Sequence, residues 1–103
     1  IAEYYQDHGF HSSRMDCAHF GLQPAKIEYL RGGDRKKNAL LIHQILGGKE
    51  YGPKRDAVLL NSAAALFVAG KTKSLTEGLE LAAELIDSGK ALAKLKALSQ
   101  YRP

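Results

Sequence analysis

Residues Gly52–Leu95 read GPKRDAVLLNSAAALFVAGKTKSLTEGLELAAELIDSGKALAKL, and this stretch decides the fold. Pro53 suits the first turn of a helix, where its missing N–H is no loss, and Asp56 falls near that helix's positive end. From Ala57 to Ala69 the only polar side chains are Asn61 and Ser62. A helix apolar nearly all round belongs in an interior, and about 13 residues are too few to span a bilayer. Its many alanines let neighbouring backbones come close. Asn61 is expected to lie buried in this helix with a partner elsewhere in the fold, because an unsatisfied buried amide costs about 1–3 kcal/mol.

Gly70 ends this helix, and Ser74-Leu75-Thr76-Glu77 opens the next as a capping box. Leu75, Leu79, Ala82 and Ile86 then recur on one helical face. Ser88-Gly89 breaks the chain and is expected to cap a last helix carrying Leu92, Leu95 and Leu98.

Upstream, Asp34 is a good N-cap for a helix running to about Leu46, with Gly47 as its stop. Ala39, Ile42 and Leu46, with Leu41 and Ile45, predict its apolar face. Arg35, Lys36 and Lys37 occupy its first turn, where the helix dipole disfavours cations. Residues 16–33 read as a connector punctuated by Gly21, Pro24 and Gly32-Gly33. Within it, Ala25–Leu30 is expected to form one helical turn that puts Ile27 and Leu30 on the core. Ile1–Tyr5 and Phe10–Met15 flank an Asp-His-Gly tip and predict a β-hairpin over residues 1–15, with Gly9 supplying positive φ. The expected architecture is a hairpin (1–15), a connector (16–33) and about four helices (34–103).

The bulk composition bounds the function classes. A chain of 103 residues is one domain or part of one, and 45% hydrophobic with 25% charged residues argues against disorder. The single Cys17 cannot form an internal disulfide. The opening IAEYYQDHGF has neither an initiator Met nor the basic and apolar regions of a signal peptide, so a piece of a longer cytoplasmic polypeptide is expected. The net charge of +4 comes from scattered residues without aromatic interleaving, so a solvated surface is read, with neither nucleic acid nor membrane as partner.

Candidate chemistry is thin. Arg31-Gly32-Gly33-Asp34 precedes a helix N-terminus whose N–H groups could hold an anion, with Arg35 to Lys37 adding charge. It matches neither the dinucleotide nor the P-loop pattern, so a loop followed by a cap is the preferred reading. His8, His11, Cys17 and His19 supply enough donors for zinc, but at the spacing of no common module, and the first pair lies across the hairpin tip. Cys17 has no evident base, and His43 has no evident partner. Asp7, Asp16, Asp34, Asp56, Glu77 and Asp87 all have turn, cap or helix-end explanations. No catalytic, substrate-binding or metal residue is assigned.

Several blocks in this order resemble the C-terminal end of the anthranilate phosphoribosyltransferase family. They are Leu30–Asp34, Asn38-Ala39, Gly52-Pro53, Arg55-Asp56, Val58–Asn61, Ala63–Ala65, Ala69–Lys71, Ser74-Leu75, Glu77-Gly78 and Ile86–Lys90. Phe20-Gly21-Leu22 also looks like the family's connector. The departures are His19 and Arg35 to Lys37, where the family usually carries acidic residues.

The resemblance implies the C-terminal part of a large α/β domain shared in form with pyrimidine nucleoside phosphorylases. It implies an enzyme of tryptophan biosynthesis, expected as a homodimer, that moves phosphoribose from phosphoribosyl pyrophosphate to anthranilate with Mg²⁺. The family's Gly-rich phosphate loop, Lys-His-Gly-Asn segment and Asp-Glu metal pair all precede the matched region. By this reading the segment is structural, partnered by the remainder of the enzyme, and inactive alone. A divergent or phosphorylase-like enzyme segment, or a free-standing basic binding module using Arg31 to Lys37, are the alternatives.

Overall fold

A computed structural model describes the backbone of residues 2–5 and 7–103 and the side chains of residues 7–103. Two antiparallel strands, β1 (Ala2–Tyr5) and β2 (Gly9–Ser12), open the chain in the register Ala2↔Ser12 to Tyr5↔Gly9. Gly9 takes φ +75°, as its place after the tip requires. The second strand stops at Ser12 and does not reach Met15; Ser12, Ser13 and Arg14 break the apolar alternation that would extend it. Ile1 and Gln6, expected in the first strand and the tip, lie outside the described residues.

Two short 3-10 turns follow, Cys17–Phe20 and Ile27–Leu30, and then four α-helices: α1 (Arg35–Leu46), α2 (Pro53–Val68), α3 (Leu75–Asp87) and α4 (Lys90–Ser99). The helix starts follow local chemistry. The Asp34 carboxylate accepts from the Lys37 N–H at 2.8 Å, and Pro53 stands at the start of α2. The Ser74 hydroxyl accepts from the Glu77 N–H at 3.1 Å, while the Glu77 carboxylate reaches past the cap to the Lys73 N–H at 2.9 Å. The box at this helix start is therefore one residue wider than the sequence pattern predicts.

The helix stops need one correction. α1 ends at Leu46 with Gly47 as its cap, as expected, in a Schellman motif whose left-handed residue is the next one, Gly48 (φ +72°), with Gly48 N–H bonded to Ile45 O and Lys49 N–H to Gln44 O. Gly70 (φ +74°) closes α2 in the same way, with bonds to Phe67 O and Leu66 O. Ser88 does not cap α4; its hydroxyl turns back to Leu85 O of α3, and Gly89 (φ +83°) carries the chain round.

The core lies between α2 and α3. Leu59, Ala82 and Ile86 are buried, and Leu46, Val58, Leu66, Leu79, Ala83 and Ala91 pack on them. The antiparallel pair comes closest at Ala63, which is wholly buried, and Gly78. A Cβ built on Gly78 would lie 2.7 Å from Ala63 O and 2.9 Å from Ala63 Cα, so only hydrogen fits.

Elsewhere the expected core is open. Ala39 and Ile42 on α1, Ile27 and Leu30 on the 3-10 turn and Leu98 on α4 are exposed, leaving Ile45 as the one buried side chain of α1. α2 is not buried all round either: Ala64 and Ala65 are exposed, and Val68 is 84% exposed. Among the described residues no large side chain is completely enclosed. The radius of gyration is 15.3 Å, against about 13 Å for a compact domain of this length.

Candidate functional site

The glycine loop before α1 is already filled from within. Asn38 spans it, its Oδ1 accepting from the Gly33 N–H at 2.8 Å and its Nδ2 donating to Gly33 O at 3.0 Å. A Cβ at Gly32 would strike the same Asn38 amide. The Asp34 carboxylate takes the Lys37 N–H, so the helix start holds its own anion. Arg31 and Arg35 to Lys37 stand exposed around it. On the other side of the loop, the Lys54 ammonium donates to Tyr29 O at 2.6 Å and ties the 3-10 turn to α2.

The histidines and Cys17 do not converge. His19 Nδ1 accepts from the Asp16 N–H at 3.3 Å, while Asp16 Oδ1 accepts from the Ala18 N–H at 2.9 Å. This is a capping box with imidazole in the place Glu or Gln ordinarily holds. Cys17 is a free, half-buried thiol in a groove with Leu22, Pro24, Leu30, Pro53 and Leu60. His43 is exposed on α1. Among the described residues no group of three or more His, Cys, Asp and Glu side chains is placed to hold a metal ion.

Asn61 is exposed, and its amide donates to Ala57 O of its own helix at 2.8 Å. The expectation of a buried amide fails because the face of α2 that carries Asn61 is uncovered here.

The sequence reading missed the ion pair that joins α2 to α3. Arg55, 6% exposed, places its Nη2 3.0 Å from Asp87 Oδ1 and 3.2 Å from Oδ2. Its guanidinium carbon lies 4.8 Å from the centre of the Tyr51 ring. Arg55 sits in the first turn of α2 and Asp87 at the last residue of α3, each at the helix end whose dipole disfavours its charge. Pairing across the junction offsets both and fixes how the two helices slide along each other. Nη1 is buried without a partner. Arg55-Asp56 and Ile86-Asp87 both stood among the resembling blocks, and an antiparallel α2–α3 pair would have brought Arg55 to Asp87.

What remains open is apolar. One groove of about 470 Å³ runs along α2, α3 and the end of α1, lined by Leu46, Val58, Ala65, Leu66, Leu85 and Ile86. A second of about 310 Å³ lies between α1 and α2, lined by Leu30, Leu41, Ile42, Ile45, Ala57 and Val58, with Lys54 among its walls. Such surfaces bind other apolar surfaces. No helix is long and apolar enough to cross a membrane among the described residues.

The chain is similar to known proteins over most of its length. It is 45% identical over 91 residues to an anthranilate phosphoribosyltransferase of Symbiobacterium thermophilum, covering 88% of this chain and 26% of that protein. It is 54% identical over 79 residues to one of Syntrophotalea carbinolica, covering 77% of this chain and 22% of that protein. The crystal structure of anthranilate phosphoribosyltransferase (TrpD) from Thermus thermophilus superposes with a TM-score of 0.78 at 40% identity, over 87% of this chain and 27% of that one. The chain thus spans about a quarter of the length of the relatives it matches. Among the described residues, the four helices and hairpin match a helix-rich segment of that α/β structure. Residues 2–92 match the pattern of the glycosyl transferase family, a/b domain, and the chain belongs to that family.

Proposed function

We propose that this chain is the C-terminal segment of the large domain of an anthranilate phosphoribosyltransferase, and that its task there is structural. The observation carrying this reading is the pairing of high identity with partial length. The chain matches relatives named anthranilate phosphoribosyltransferase at 45–54% identity over 79–91 residues, yet corresponds to only 22–26% of them. The whole enzyme would transfer phosphoribose from phosphoribosyl pyrophosphate to the amine of anthranilate in tryptophan biosynthesis. It is proposed to work in the cytoplasm, as a homodimer.

In that reaction the anomeric carbon becomes cationic as diphosphate leaves, and the departing charge must be met by fixed donors and metal. Mg²⁺, when bound, would neutralise the diphosphate. Four of the carboxylates here already have partners: Asp16, Asp34 and Glu77 are taken up by backbone N–H groups and Asp87 by Arg55. We read the metal and substrate sites as lying outside this segment, as the resemblance implies. Within it, the hairpin adds to the domain's sheet, and α2 with α3 offers the apolar flanks on which the remaining elements settle.

The reading is tested by assaying the pure 103-residue chain with anthranilate, phosphoribosyl pyrophosphate and Mg²⁺, then the same chain joined to the upstream part of the Thermus thermophilus enzyme. No transfer alone and transfer when joined is the expected result. Turnover by the chain alone would refute it.

A further inference from the structure

We draw no further inference here: the strongest candidate, the Arg55 Nη1 left without a hydrogen-bond partner in the buried cluster between α2 and α3, belongs to the junction already described and is closed off by the chain's own atoms, so no ligand reaches it.

Discussion

The two sides of α2 are built from similar residues and meet different fates. Toward α3, Leu59 and Ala63 are buried and the backbones touch at Gly78. On the rest of its surface Ala64 and Val68 are exposed, and Ala65 is exposed at the edge of an open apolar groove. Composition alone gives little cause for this difference, since Asn61 is the one exposed polar side chain between Ala57 and Ala69 and the rest of both sides is apolar. The closed side has a partner helix within this chain, and the open side has none. An apolar surface without a partner is an interface in waiting.

If the closed side is held as described, its polar clamp should matter most. Asp87→Ala leaves the Arg55 charge buried without its carboxylate. Breaking a buried pair costs about 3–5 kcal/mol, and because Asp87 is half-exposed we expect about 2 kcal/mol in urea unfolding. Arg55→Met, which fills the same space without a charge, should cost about 1 kcal/mol or less. Equal losses for the two variants would show that the pair does not work as a buried clamp.

Gly78→Ala comes next. In an exposed helix it would gain up to about 1 kcal/mol. Here the new methyl meets the backbone of Ala63, which cannot yield like a flexible side chain, so overpacking of about 1–3 kcal/mol wins. A net loss of about 1–2 kcal/mol is expected, and a variant that melts higher than the parent would show that the helices are not in contact there.

Asn61→Ala probes the open side and should be the smallest effect, within about 0.5 kcal/mol, because the amide is exposed and bonds only to its own helix. A loss of about 1–3 kcal/mol, the cost of orphaning a buried group, would mean that this face is covered after all.

How far the sequence could be read follows the same division. The caps and stops at Asp34, Pro53, Gly70 and Ser74 were legible because each depends on residues a few places away. The stripe Leu75, Leu79, Ala82 and Ile86 was legible because its partner lies in the same chain; three of the four are buried and Leu79 packs against that core. Ile27, Leu30, Ile42 and Asn61 were misplaced for the opposite reason. Periodicity says which residues want burial and not whether this polypeptide covers them. The Arg55–Asp87 clamp was invisible one helix at a time and needs the antiparallel pairing first. The Asn38 lock on Gly33 explains why Gly32-Gly33 is no open phosphate loop, a distinction that spacing alone could only favour.

The central claim is that the uncovered flank of α2 is the seat for the rest of the domain. It is tested most directly by titrating the chain against the upstream part of the Thermus thermophilus enzyme and comparing it with an Ala65→Lys, Val68→Lys double variant. The account predicts saturable one-to-one binding by the parent chain, weakened at least about tenfold in the variant (about 1.4 kcal/mol), with the variant's helicity unchanged. Equal affinity for both chains, with both helical, would contradict it.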